Sequence, residues 1–205
     1  MTMERVVRSA SKAKVVTRDA EASRARILEA ARARFSNCSY EGVGVREIAA
    51  DAGIDPALVM RYFGSKEGLF REIAAQAFGT DELLGQGVDG LAESAAEFLF
   101  GNLNAKDWRT GYDPLRFLLA SIGSPTAGPI LAEALLSDFI KPLQAAIGGS
   151  QKELKGAFVS AQIVGLALTR IVLASGGVAN HEPLRVMFVD AVQAVAAPKK
   201  RRRAG

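Results

Sequence analysis

Two short helical segments joined by a glycine turn constrain this chain more than any other feature. Residues 46–52 place apolar side chains beside polar ones, as a short amphipathic helix does. Gly53 interrupts that pattern, because glycine adopts the backbone angles of a sharp turn at little steric cost. Asp55 can cap a second helix, and Pro56 suits its first position, where a missing N–H costs nothing. The order predicts a helix-turn-helix, whose second helix enters the major groove of DNA.

An amphipathic helix is predicted just before this motif. Ile27, Leu28, Ala31 and Phe35 recur with the spacing of one helical stripe. The pattern predicts an amphipathic helix over residues 24–37.

The composition favours an all-α protein without metal or cofactor. Strand-forming runs are rare, and 49% hydrophobic with 23% charged residues is a globular balance. The single cysteine, Cys38, excludes an internal disulfide, and the single histidine, His181, leaves too few ligands for a His/Cys metal site. The apolar stretch 156–169 falls short of the ~20 residues of a membrane span, and no signal peptide is evident. We expect a soluble, cytoplasmic protein.

The charge is unevenly distributed along the chain. Residues 1–72 are net basic, residues 73–198 are net acidic, and residues 199–203 are all Lys or Arg. This pattern predicts a polyanionic partner on the N-terminal side. Residues 1–22 are either a flexible leader or a basic arm that lies on DNA phosphates or in a minor groove, and both can hold. The tail 198–205 is interpreted as a disordered, solubilising or DNA-attracting segment.

The region 24–78 resembles the DNA-binding domain of the TetR (tetracycline-repressor-like) family of bacterial transcription regulators. The resemblance rests on an ordered series of short segments, and an ordered series is far more specific than a bare helix-turn-helix pattern. The segments are Ile27-Leu28-Glu29-Ala30-Ala31, Phe35, Gly42, Val45-Arg46-Glu47-Ile48-Ala49, Ala52-Gly53-Ile54 and Arg61-Tyr62-Phe63-Gly64-Ser65-Lys66-Glu67-Gly68-Leu69-Phe70. A looser similarity to the C-terminal domains of the family covers residues 149–174.

The resemblance implies a three-helix DNA-binding domain, with residues 56–63 as the recognition helix and a fourth helix from Ser65. Arg61 is suited to a bidentate contact with guanine, Tyr62 to the sugar-phosphate edge, and Lys66 to a phosphate. The predicted DNA-binding residues are Gly44, Val45, Arg46, Pro56, Ala57, Leu58, Met60, Arg61, Tyr62 and Lys66.

Two of these positions depart from the common family pattern. The family usually has Thr where Gly44 stands and often a phosphate-binding Tyr where Met60 stands. Gly44 loses a hydroxyl contact, and Met60 must either pack inward or contact a thymine methyl group.

The domain organisation follows from these patterns. We predict an arm at 1–22, a DNA-binding domain at 23–78, an effector-binding and dimerisation domain at 79–197 and a tail at 198–205. Residues 79–90 are predicted as a hinge. Helices are then expected near 91–103, 113–122, 125–147, 151–175 and 182–196, with a kink at Pro142.

The helix over 151–175 predicts self-association. Its apolar residues spread almost all around it, and a helix apolar on every side must be covered on every side. Two helices from each of two subunits, packed as a four-helix bundle, would do so, although a monomeric core helix is an alternative. The predicted dimer residues are Ala157, Ala161, Gly165, Leu168, Val172, Leu184, Met187, Phe188 and Ala191.

The resemblance also implies an effector pocket in the second domain. Gln162 and Arg170 stand out, because an unpaired polar group on so apolar a helix costs a few kcal/mol. Arg170 either holds an acidic ligand or forms an ion pair such as one with Asp190. The candidate lining residues are Phe98, Trp108, Phe117, Leu118, Ile122, Phe139, Gln144, Gln162 and Arg170.

These features predict a ligand-responsive transcription regulator, most often a repressor in this family. It would bind a palindromic operator as a homodimer and be released by a small-molecule effector. An effector-blind DNA-binding dimer is the first alternative. An all-helical enzyme is the second, and we do not expect it, because the sequence offers no triad, nucleophile motif or metal set.

Overall fold

The chain folds into helices throughout its described length, which confirms the predicted all-α fold. The computed structural model describes the backbone of residues 3–100, 111–176 and 181–196, and the side chains of residues 19–100, 111–169 and 181–196. The helices are α1 (Met3–Asn37), α2 (Val45–Ala52), α3 (Pro56–Phe63), α4 (Lys66–Ala77), α5 (Asp81–Leu84), α6 (Gly87–Phe100), α7 (Pro114–Ser121), α8 (Ala127–Ala134), α9 (Lys141–Ile147), α10 (Lys152–Gly176) and α11 (Glu182–Ala196).

These helices form two compact units. The head unit contains the described residues up to Ala74 together with 111–131, and the body unit contains the rest of the described chain. This division assigns α7 to the same unit as α1, α2 and α3, whereas the sequence placed it in the second domain. The domain boundaries given above stay a prediction.

An aromatic cluster forms the core of the head unit. Phe70 is fully buried, and its ring lies 5.0 Å from that of Phe35, 5.1 Å from Tyr40 and 4.7 Å from Phe117. These four residues come from α4, α1, the loop after α1, and α7. Because aromatic pairs add to the free energy gained by burial, this cluster helps to hold α7 against α1 and α4.

The core of the body unit is mainly aliphatic. Buried leucine, valine and isoleucine side chains of α6, α9, α10 and α11 meet there, and the largest are Leu91, Leu99, Leu143, Val159, Ile163 and Val192. Gly156 permits close packing of α10 on α9, since a Cβ atom at this position would lie 2.3 Å from Cγ of Gln144. No described helix is long and apolar enough to cross a membrane.

The helices differ from those predicted at the N-terminus and in the segment 79–90. α1 begins at Met3 instead of Arg24, so the backbone of the predicted arm is helical from residue 3 onward. Glycine and aspartate in 79–90 indicated a hinge, but α5 lies within it and α6 begins at Gly87. Local turn propensity is a weak preference that tertiary packing overrides, as the buried Leu83 illustrates.

A π-helical turn precedes Pro142, the position at which a kink was predicted. Residues Leu135–Ile140 form the turn, and the backbone N–H of Lys141 donates to the carbonyl of Leu136, five residues earlier. The proline has no N–H and its ring clashes with the carbonyl four residues earlier. The wider turn accommodates both effects and lets α9 continue from Lys141.

Candidate nucleic-acid interface

The start of α2 is closed by a backbone-to-side-chain hydrogen bond. The N–H of Gly44 donates to the carboxylate of Glu47, at 2.9 Å, which is one half of a capping box. Gly44 has no side chain to supply the other half, so the first N–H groups of α2 keep free hydrogen-bonding capacity. Arg46 follows in the first turn with an exposed side chain.

The turn between α2 and α3 has the geometry that the sequence predicted. Gly53 adopts a left-handed conformation, φ 62° and ψ 42°, and its N–H bonds back to α2. The N–H of Ile54 donates to the carbonyl of Ala49, at 2.9 Å, which completes the helix end. Because φ is positive at Gly53, a side chain there would be strained.

Helix α3 is capped at both ends and exposes one long face. The carboxylate of Asp55 accepts from the N–H of Ala57, at 2.7 Å, and Gly64, with φ 73°, ends the helix. Val59 is its one fully buried residue. The exposed side chains are Pro56, Ala57, Met60 and Arg61, while Leu58 and Tyr62 are half-buried. Met60 is 46% exposed, so of the two roles open to it, inward packing does not occur.

The turn from α3 into α4 depends on Gly68. A Cβ atom at Gly68 would lie 2.2 Å from the backbone carbonyl oxygen of Phe63, closer than any real contact. The N–H of Gly68 donates to Oγ of Ser65, at 2.9 Å, so Ser65 caps α4 as predicted. This close approach fixes the direction in which α4 leaves α3.

Lys66 lies at the start of α4 and is only half-exposed. Its Nζ atom is 4.2 Å from the centre of the Tyr40 ring, a cation–π distance. Burial lowers the pKa of Lys66, while the nearby carboxylates of Glu41 and Glu47 raise it. Glu47 belongs to the first turn of α2, so Lys66 lies near the start of α2.

Two arginines of α1 stabilise the helix-turn-helix by pairing with residues of other helices. Arg24 pairs with Glu72 at 2.5 Å and lies over the Phe63 ring at 5.0 Å, linking α1 to α3 and α4. Arg34 donates to both carboxylate oxygens of Asp51, at 2.5 and 2.9 Å, linking α1 to α2. Sequence reasoning missed these roles, because each pair joins residues far apart in the chain.

The Arg34–Asp51 pair predicts a pH-dependent stability of the head unit. The hydrogen bond from Arg34 lowers the pKa of Asp51, so the unfolded chain binds the proton more tightly than the folded one. The stabilisation is then present above the ordinary aspartate pKa of about 4 and is lost as pH falls below it. We expect the difference in melting temperature between wild type and Asp51→Asn to shrink from pH 7 to about pH 3. Arg34→Gln should show the same shrinkage; a difference that stays constant with pH would contradict the pairing.

The predicted effector-site residues fall into both units. Phe117 and Leu118 are buried in the head unit, and Ile122 is exposed there. Phe139 is buried in the body unit, Gln144 donates to the backbone carbonyl of Glu153, and Gln162 is half-buried. Trp108 and the side chain of Arg170 lie outside the described residues. The candidate set therefore stays a prediction.

Phe98 lies in a groove of the body unit. This groove has a volume of about 460 Å³ and lies between α5, α6 and α11. It is lined by Glu82, Leu83, Gln86, Glu93, Ser94, Glu97, Phe98 and Arg185. Arg185 pairs with Glu93 at 2.7 Å across it. The sequence singled out Phe98 alone from this set, because the groove is assembled from helices whose packing has no local signature.

The predicted dimer residues also divide by exposure. Ala157, Ala161 and Gly165 are exposed on one side of α10, and Met187 is 68% exposed on α11. Leu168, Leu184 and Ala191 are half-buried, Phe188 is buried, and the side chain of Val172 lies outside the described part. Three further large apolar side chains, which are not among the predicted dimer residues, are exposed on the same two helices: Leu154, Phe158 and Val186.

Both the N-terminal and the C-terminal part of the chain match models of known protein families. Residues 27–73 match the family model of bacterial regulatory proteins of the tetR family, and residues 89–199 match that of the tetracyclin repressor-like C-terminal domain. RaaS, a helix-turn-helix transcriptional regulatory protein of Mycobacterium tuberculosis, is 56% identical over 45 residues, 22% of this chain and 21% of RaaS. A helix-turn-helix transcriptional repressor of Streptomyces coelicolor is 39% identical over 59 residues, 29% of this chain and 31% of that protein.

Solved structures have the same fold. NalD, the secondary repressor of the MexAB-OprM multidrug efflux pump in Pseudomonas aeruginosa, superimposes with a TM-score of 0.65 at 18% identity, over 86% of this chain and 96% of NalD. A TetR-family regulator from Streptomyces coelicolor gives a TM-score of 0.54 at 24% identity, over 87% of this chain and 96% of that one. The two family models together span most of the sequence, and the chain therefore belongs to the TetR family of bacterial regulatory proteins.

Proposed function

We propose that this protein is a ligand-responsive transcriptional repressor that binds a palindromic DNA operator as a homodimer. The observation that carries the proposal is α3, which is capped at both ends, buries Val59 and exposes Ala57, Met60 and Arg61 along one face. A helix that presents side chains of this kind on a rigid support is what major-groove recognition requires. The Streptomyces coelicolor relative is named as a repressor, which favours repression over activation.

Arg61 is the side chain on α3 best suited to read a base. It is exposed in the last turn of the helix, and its planar guanidinium can bond to both O6 and N7 of guanine. Met60 beside it can contact a thymine methyl group. Leu58 and Tyr62 flank this face and position the helix against the sugar-phosphate edge.

We expect Arg61→Ala to weaken binding to the preferred sequence by about 1–3 kcal/mol and to relax the preference at one base pair. The measurement is competitive binding to duplexes that vary each base pair in turn. Arg71→Ala is the matched control, since Arg71 pairs with Glu67 at 3.0 Å on the exposed side of α4 and should leave the preference unchanged. If the Arg61→Ala protein keeps the wild-type base preference, Arg61 does not contribute to base recognition.

The proposed dimer uses the exposed sides of α10 and α11. Ala157, Ala161 and Gly165 form a smooth strip on α10, and Phe158 is exposed beside it. Exposed large apolar side chains that lie together often mark contact surfaces. Small residues allow helices to approach closely, and a twofold axis would pair α10 and α11 with their copies as a four-helix bundle.

The proposed effector site is in the body unit. The groove beside Phe98 has a volume of about 460 Å³, within the range of about 300–1,000 Å³ that is common for small-molecule sites. An effector that binds better to the conformer with misplaced α3 helices would weaken DNA binding through linkage. The effector-blind alternative predicts that no compound in a broad thermal-shift screen raises the melting temperature.

A further inference from the structure

Arg26, on α1 of the head unit, has no role in the contacts described above. Among the residues whose side chains are described, Arg24 pairs with Glu72, Arg34 with Asp51, and Arg71 with Glu67. Arg26 is exposed on α1, and no described carboxylate forms an ion pair with it. The guanidinium of Arg26 therefore keeps its full hydrogen-bonding capacity for a partner outside the chain.

Arg26 lies beside the turn of the helix-turn-helix. One of its terminal nitrogens lies 4.0 Å from the place where a Cβ atom of Gly53 would be. Gly53 ends α2, and α3 begins shortly after it, at Pro56. Arg26 thus lies at the end of α2 that faces the beginning of α3, whereas Arg46 and Lys66 lie at the other end of α2.

The length of α2 matches the width of a major groove. An eight-residue helix is about 12 Å long, and the major groove of B-DNA is about 12 Å wide. The groove is bordered by phosphates of both strands. With α2 lying across the groove that α3 enters, cations at its two ends can reach phosphates on opposite sides of that groove.

The local charges favour an anion beside Arg26. The acidic residues of α2, Glu47 and Asp51, are both engaged by Arg34, at 3.6 and 2.5 Å. The carboxylate of Asp55, after the turn, accepts a hydrogen bond from the N–H of Ala57. These interactions reduce the repulsion that the three carboxylates would exert on an approaching phosphate.

We propose that Arg26 binds a DNA phosphate on the strand opposite the one bound at the start of α2. This inference rests on the proposed function, since it requires that α3 lies in the major groove. It adds a second anchor, so that the helix-turn-helix is held from both sides of the groove and the direction of α3 is fixed.

The first test is the salt dependence of binding. With a duplex of about 30 base pairs, which holds two half-sites one turn apart, we expect Arg26→Gln to reduce the slope of log affinity against log salt by about 0.9 per bound subunit. Between about 50 and 200 mM salt, wild type should then lose about threefold more affinity per subunit than the variant. Arg71→Gln removes the same charge from an ion pair and should leave the slope unchanged. An unchanged slope for Arg26→Gln would overturn the inference.

The second test assigns the strand. Uncharged methylphosphonate groups replace one phosphate at a time in the duplex, and affinities of wild type, Arg26→Gln and Lys66→Gln are measured for each. One phosphate should be found whose neutralisation lowers the affinity of wild type but not that of Arg26→Gln. It should lie on the strand opposite the phosphate that behaves in this way with Lys66→Gln. Coupling on the same strand would contradict the inference. If the wild-type protein prefers no DNA sequence at all, the proposed function fails. If the wild-type protein has a sequence preference but Arg26→Gln changes neither the salt slope nor the effect of any methylphosphonate, this inference alone fails.

Discussion

Gly165→Leu should convert the proposed dimer to a monomer without unfolding the subunit. A Cβ atom at Gly165 meets nothing within 4 Å in the chain itself, and leucine is a better helix former than glycine by about 1 kcal/mol. The bulk is therefore tolerated by the isolated subunit but blocks close approach of a second α10. Loss of the dimer removes the avidity of two linked half-sites, so affinity for a palindrome should fall by about 10²- to 10⁴-fold.

The oligomeric state of this variant is best measured by sedimentation, and its fold by circular dichroism. Gly123→Leu is the matched control, because a Cβ atom there also meets nothing within 4 Å but the residue belongs to the head unit. It should remain dimeric. A Gly165→Leu protein that sediments as the wild-type dimer would place the interface elsewhere.

Phe70→Ala should have the largest effect on stability. Phe70 is fully buried between Phe35, Tyr40 and Phe117, and truncating such a ring costs about 3–5 kcal/mol. Since a domain is stabilised by only about 5–15 kcal/mol in total, a large part of the stability of the head unit is lost. DNA binding should fall as well, because Tyr40 supports Lys66.

Chemical denaturation measures this effect, with Phe98→Ala as the control. Phe98 is 47% exposed on α6, so its removal should change the free energy of unfolding by less than about 0.5 kcal/mol. A loss of unfolding free energy below about 1 kcal/mol for Phe70→Ala would show that the aromatic cluster contributes little to the stability of the head unit.

The features that could be predicted from the sequence depend on neighbouring residues. The N-cap at Asp55, the left-handed turn at Gly53 and the end of α3 at Gly64 all lie where local chemistry indicated them. A capping side chain and the N–H that it accepts from are two or three residues apart, so the sequence contains both partners. The ordered motif of 27–70 then identified the family.

The features that could not be predicted depend on residues distant in the chain. The Arg24–Glu72 pair and the Phe70–Phe117 contact join different helices, and no local pattern specifies them. The hydrogen bond from Ser124 to Glu41, at 2.5 Å, and the inclusion of α7 in the head unit are of the same kind. The free state of Arg26 became visible only once the partners of the other arginines were known.

Selection of bound sequences from random duplex DNA tests the central claim most directly, which is that α3 is presented to the major groove by a twofold dimer. The account predicts enrichment of an inverted repeat whose half-sites lie one helical turn, about 34–36 Å, or a multiple of it apart. Guanine should recur at the position that Arg61→Ala relaxes. Recovery of no sequence above the starting library, or of an unsymmetrical single site, would contradict it.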